Sequence, residues 1–334
     1  MEAPSLPKPK LGLIPPAYIT ETSINLSETN NKLRVIENQL KKNNAISFKE
    51  LNDFIVLFSN NLWEFEQQST SNDLQVYGEQ LFNALKSYKP LREDYLKFIE
   101  ILSSHEIENT EELLIGFFEN APAYNRPKND TGSWNRASFD IFKIIFHELF
   151  IYTIAICLKN KNYEITSGLL NSKYYIKDKY RAKTDLESFV FLYNFHENLE
   201  NYTSMVFNKI TGFGDYIITN LSESLKKEDI ILADTLCYFI SYLDSEIVYK
   251  KWFPNTYLYW EGLSIQFFER MSSEKHFEKV KILFNVKTKE ELQEILNFLK
   301  NNTSKDKIRY GRGSFDSIPF IYELINPDTI GLYR

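Results

Sequence analysis

From Ile141 to Leu158 the chain reads IFKIIFHELFIYTIAICL, its longest apolar stretch. As a helix it would be about 27 Å long, close to the roughly 30 Å of hydrocarbon in a bilayer. Lys143, His147 and Glu148 interrupt it. Each ionised group at mid-membrane costs roughly 2.5–3.5 kcal/mol, so the stretch reads as the central buried helix of an all-α fold. No membrane contact is expected.

Working outward, helical punctuation recurs on both sides. Ser47 with Glu50 forms a capping-box pattern opening Leu51, Phe54, Ile55, Phe58, Leu62 and Phe65. Spacings of three and four place that set on one helix face. Asp73 opens a helix through Leu85, Pro90 is expected to start a further segment with Tyr95 and Phe98, and Thr110 begins another. Beyond the apolar stretch, helices are expected around Tyr163–Leu170, Thr184–Asn194, Glu197–Ile210, Asp215–Lys227, Asp229–Leu243, Tyr257–Met271, Lys275–Phe284 and Thr288–Asn301. The last carries Thr288 as cap and Glu291 three residues on.

No alternation of period two extends beyond a few residues, which leaves little or no strand. The expected fold is all-α with about a dozen helices, an irregular helical array or two packed bundles. The 26 Phe and 21 Tyr, against 11 Gly and 11 Pro, supply an aromatic-rich core and few breaks. Five prolines fall in the first 16 residues, so 1–26 reads as a Pro-rich extended arm or linker. Residues 27–120 read as an N-terminal helical bundle, 121–133 as a loop with two prolines and a glycine, and 134–334 as a C-terminal helical domain.

Common chemistry is sparse. Cys157 and Cys237 lie in apolar runs, as buried thiols of a reducing, cytoplasmic compartment do. His147-Glu148 is followed by Ile151 where a zinc-protease helix needs its second histidine. His196 and Glu200 share a helix face but lack further ligands, so no metal is expected. No phosphate-binding glycine loop, dinucleotide turn or nucleophile elbow is present, which leaves no cofactor to expect. Gly212-Phe213-Gly214 reads as a helix end followed by a helix start.

Charge patterning is more informative. Lys173–Lys183 carries Lys173, Lys177, Lys179, Tyr180, Arg181 and Lys183; Lys300–Arg312 carries Lys305, Lys307, Arg309, Tyr310 and Arg312. Each segment is +4, leaving −14 on the rest of a chain whose net charge is −6. Those residues form a candidate surface for nucleic acid or another anionic ligand, with tyrosines for stacking.

Two resemblances add to this reading. Arg270-Met271-Ser272-Ser273-Glu274-Lys275-His276 resembles the Arg-x(4–6)-His motif of HEPN ribonucleases. That resemblance implies Arg270 on a scissile phosphate and His276 supporting 2′-hydroxyl attack, although Met271 stands where the family is usually polar. The segment Phe146–Ala155, with Asn162-Tyr163-Glu164 and Leu169–Tyr175, resembles helical accessory or sensor regions of bacterial conflict (anti-phage defence) proteins. It implies a helical part working beside an effector, with the proline arm as the connection. The leading expectation is a non-catalytic interaction or regulatory module with a protein partner, such as an effector protein, or a second copy. A ribonuclease and a nucleic-acid or nucleotide binder are the alternatives.

Overall fold

The computed structural model describes residues 26–42, 46–67, 73–128, 134–177, 184–247, 250–262, 264–302, 308–309 and 317–334. The arm through residue 25 lies outside them. Thirteen α-helices run through the described residues. The first four are α1 (Leu26–Lys41), α2 (Phe48–Leu62), α3 (Leu74–Ser104) and α4 (Thr110–Glu119). Next come α5 (Asp140–Lys159), α6 (Tyr163–Asn171), α7 (Glu197–Phe207), α8 (Gly212–Thr219) and α9 (Lys227–Leu243). The chain closes with α10 (Gln266–Glu269), α11 (Glu274–Val280), α12 (Lys289–Asn302) and α13 (Ile321–Leu324). Two small antiparallel hairpins join them: β1 (Tyr174–Lys177) with β2 (Thr184–Glu187), and β3 (Ile308–Arg309) with β4 (Ser317–Ile318). The fold is all-α.

The apolar stretch is the axis of this array. Arg136–Lys159 is the one helix among the described residues long and apolar enough to cross a membrane, and 94% of its most apolar window is buried. It packs on α3, α6, α9 and the short turn Ala121–Asn125. A helix apolar all round needs neighbours on every side, and those elements supply them. Aromatic rings fill the seams: Phe54 stacks on Phe98 at 4.3 Å, and Phe118 meets Phe150 edge-on at 5.1 Å. Side chains from both sides of residues 121–133 share one hydrophobic cluster, from Leu33 to Ile330.

Helix starts follow the sequence signals closely. The Ser47 hydroxyl accepts the Glu50 N–H at 3.3 Å, and Glu50 accepts the Ser47 N–H at 3.0 Å. Asp73 accepts the Gln75 N–H at 2.8 Å, and Thr288 accepts the Glu291 N–H at 3.3 Å. The expected helix Asp215–Lys227 ends early, at Thr219, and the next starts at Lys227; three further expectations need correction. Pro90 does not start a helix; it sits inside the 31-residue α3. Its missing N–H leaves the Lys86 carbonyl without its i+4 helical partner, but Lys86 and Pro90 both face solvent, where water can take that place. Thr184–Asn194 is not a helix: Thr184–Glu187 pairs with β1, setting Tyr175 across from Leu186, before a short 3-10 turn. Tyr257–Met271 is broken into 3-10 turns and the four-residue α10, with Trp260 extended between them.

Candidate functional site

Where α10 and α11 meet α9, the chain leaves a groove of about 930 Å³. Arg270 and His276 both line it. Their positions follow from a short sequence of local decisions. Arg270 ends α10 and opens a one-turn 3-10 helix; the buried Met271 anchors that turn in the core. Ser273 then caps α11, and its hydroxyl accepts the His276 N–H at 3.4 Å. The C-terminal residues hold the intervening loop: Gly331 N–H donates to the Met271 carbonyl and Tyr333 N–H to that of Ser272, each at 2.9 Å, while Glu274 N–H donates to the Tyr333 carbonyl at 2.7 Å. The non-polar Met271, the departure from the ribonuclease motif, is thus a packing residue.

His276 is half-buried, with its ring edge-on to Phe267 at 5.2 Å. Burial, together with the charges of Arg270 and Lys279, holds its pKa below the ordinary imidazole value. A hydrogen bond to the Phe267 backbone opposes that shift. His276 Nε2 is sealed from solvent and has no hydrogen-bond partner among the described residues. Trp260 also lines the groove, and its Nε1 is likewise sealed and without a partner among the described residues.

The basic segments fare differently. Lys173 is committed to acidic neighbours, 2.7 Å from Glu246 and 3.6 Å from Asp244. Lys177 ends β1 and is exposed, and Arg309 lies in β3. Lys179, Tyr180, Arg181, Lys183, Lys305, Lys307, Tyr310 and Arg312 lie outside the described residues.

A second cavity, of about 1590 Å³, separates α2 from α4 and the first hairpin. Glutamates crowd its wall, among them Glu108, Glu112 and Glu164, opposite Lys173. Among the described residues, no group of three or more His, Cys, Asp or Glu side chains is placed to hold a metal ion. His196 and Glu200, the helix-face pair, serve separate partners. His196 Nε2 meets His147 Nδ1 at 3.0 Å, and the Glu200 carboxylate accepts the Phe213 N–H at 3.0 Å.

Sequence reasoning missed the buried polar centre around α5. Arg92 Nη1 donates to Glu148 at 2.7 Å with both side chains fully buried, and the Tyr216 hydroxyl donates to Glu148 at 3.3 Å. Asp234 accepts from Trp252 Nε1 at 2.6 Å and from the Thr256 N–H at 2.9 Å. The available signal was a charge inside each apolar helical run, which implies a buried partner but not its identity.

The end of α7 and the residues after it carry exposed apolar side chains: Met205 is 57% exposed, and Val206, Phe207 and Ile210 each more than 40%. Comparison with known proteins returned no matching family, no matching curated protein and no matching solved structure.

Proposed function

We propose that this chain is a non-catalytic, cytoplasmic helical interaction and regulatory module, of the kind that senses or assembles in a bacterial defence system. The observation that carries the reading is the apolar run Met205–Ile210. Large apolar side chains standing together in water mark contact surfaces, because each buried one contributes roughly 1.5–3 kcal/mol to association. Phe207 is held in place for that role: its ring meets Tyr202 at 5.8 Å and Phe82 at 6.1 Å, so the patch rests on a rigid base formed by α3 and α7. The occupant is a protein with a matching apolar face, an effector or a second copy.

The test combines light scattering with in-cell crosslinking of the parent chain and a Met205→Lys/Ile210→Glu variant. Loss of one defined complex, with circular dichroism unchanged, is the expected result. A parent that stays monomeric, with the same crosslinked partners as the variant, defeats the reading. The ribonuclease alternative is favoured by one observation, the shared groove of Arg270 and His276. RNA cleavage abolished by His276→Ala would establish it in place of the non-catalytic reading.

A further inference from the structure

The Arg270 groove has a composition that the interaction reading does not use. Its wall carries four cations, Lys159, Lys161, Arg270 and Lys279, against two carboxylates, Glu228 and Asp229. Asp229 is occupied in capping α9, accepting the Lys226 N–H at 2.9 Å, and Lys159 donates to the Ser224 carbonyl at 2.6 Å. Lys161, Arg270 and Lys279 carry no ion pair among the described residues. Three aromatic side chains, Tyr163, Trp260 and Phe267, face the same space. A volume of about 930 Å³ lies within the range of small-molecule and cofactor sites.

Lys161 adds an independent observation. Four non-glycine residues among those described adopt left-handed backbone, and three are asparagines: Asn109, Asn208 and Asn285. Asparagine tolerates that region. The fourth is Lys161, at φ 58°, in the turn between α5 and α6. A lysine there is locally strained, and the turn itself would be served better by asparagine or glycine. Its place in the groove lining gives the lysine a reason to be there.

We propose that this groove binds a nucleotide-class ligand. The phosphate oxygens lie among Arg270, Lys279 and Lys161, and the planar base lies against the aromatic wall. Cations beside an aromatic wall describe a phosphorylated nucleoside better than bare phosphate or a carboxylic acid.

The full chain is titrated calorimetrically with the four ribonucleoside 5′-diphosphates and with inorganic phosphate. At least one diphosphate is expected to bind saturably, one per chain, with affinity falling as salt rises. Arg270→Ala and Lys279→Ala, both at exposed positions, are expected to weaken it at least tenfold. The indole N–H resonance of Trp260, assigned with Trp260→Phe, should move on binding. Lys161→Asn should weaken binding while raising Tm, a combination that a purely structural lysine would not give. The proposal is overturned if no diphosphate binds saturably, if inorganic phosphate binds as tightly, or if the Arg270 and Lys279 variants bind like the parent. None of these outcomes touches the Met205–Ile210 surface, so the two readings stand or fall separately.

Discussion

His147 Nδ1 lies 3.0 Å from His196 Nε2 in the centre of the fold. Phe213 stacks on His147 at 4.1 Å, and Trp252 meets it edge-on at 4.8 Å. Two neutral imidazoles can share one proton in this geometry, two imidazolium ions cannot. His147 Nε2 has no partner among the described residues, so the less costly tautomer has His147 donating through Nδ1–H and leaves a lone pair, not an N–H, unsatisfied.

That arrangement predicts acid sensitivity. Burial lowers the pKa of His147 well below 6.5 and that of His196 to about 3; the nearby Lys250 charge acts on both in the same direction. With depressed folded values, the unfolded chain takes up protons first as pH falls through 6.5. Stability should then drop by up to about 1.4 kcal/mol per pH unit for each histidine. Asp234 works the other way: burial raises it to about 6, so it adds stability as pH falls from there towards 3.8. Asp94 and Glu148, raised by burial, act with Asp234, and half-buried His276 acts with the histidine pair, so the pair's own share is the slope that its double variant removes. Urea midpoints measured from pH 7.5 to 5 should fall, and His147→Gln/His196→Gln should flatten the slope. An unchanged slope in the double variant would exclude the pair as its source.

The Arg92–Glu148 pair predicts strong coupling. Each partner is fully buried, and burial raises the Glu148 pKa while Arg92 pulls it back. Removing Arg92 leaves the Glu148 carboxyl enclosed with the Tyr216 hydroxyl, a loss of about 3–5 kcal/mol, whereas removing Glu148 leaves Arg92 its second partner, Glu93 at 2.7 Å. Arg92→Met should therefore cost more than Glu148→Leu, and the double variant should cost much less than their sum. Additive losses in chemical denaturation would show that the two charges do not depend on each other.

Where the sequence was legible, local chemistry set the outcome. Ser47, Asp73 and Thr288 cap helices because their oxygens reach backbone N–H groups two or three residues away, whatever the tertiary setting. The 141–158 stretch could only be buried, given its composition. Legibility ended where long-range geometry decided. Pro90 continues α3 because solvent, not a neighbouring helix, faces its freed carbonyl. Thr184–Glu187 is a strand because β1 lies beside it, a pairing that no helical spacing reveals. Arg270 and His276 were visible as a pair through their spacing. Lys279 shares the α11 face of His276 at i+3, but Trp260 and Lys161 join them only through the fold, Lys161 from about a hundred residues away.

The two thiols should be inert in the native protein. Burial pushes the Cys157 pKa up to about 12, and Cys237 is raised well above its ordinary value. Thiolate is the reacting form, so Ellman's reagent should modify neither cysteine until the chain unfolds. Titration in native buffer should therefore find none, and in 6 M guanidinium both. Rapid modification without denaturant would mean that α5 or α9 opens locally.

Glu200 gives the sharpest test of how α7 is fixed against α8. Its carboxylate accepts the Gly212 N–H, the Phe213 N–H at 3.0 Å and the Thr211 hydroxyl at 3.1 Å, which places a negative charge on the amino end of α8. Gly212 makes the approach possible, because a Cβ there would lie 2.1 Å from Thr203 Oγ1 and 2.9 Å from the Leu199 carbonyl oxygen. Glu200→Gln keeps the shape but presents an NH₂ group to an N–H, so it should cost about 1.5–3 kcal/mol, and Glu200→Ala at least as much. Gly212→Ala should destabilise through displacement of α7 and not through loss of charge, so it should remain destabilising in the Glu200→Gln background. Because α7 carries the Met205–Ile210 surface, hydrogen exchange along 199–210 should quicken in every one of these variants. A Glu200→Gln chain within about 0.5 kcal/mol of the parent would mean that the carboxylate is a bystander at this corner, and that apolar packing of Leu199 and Tyr202 alone sets the angle of the exposed surface.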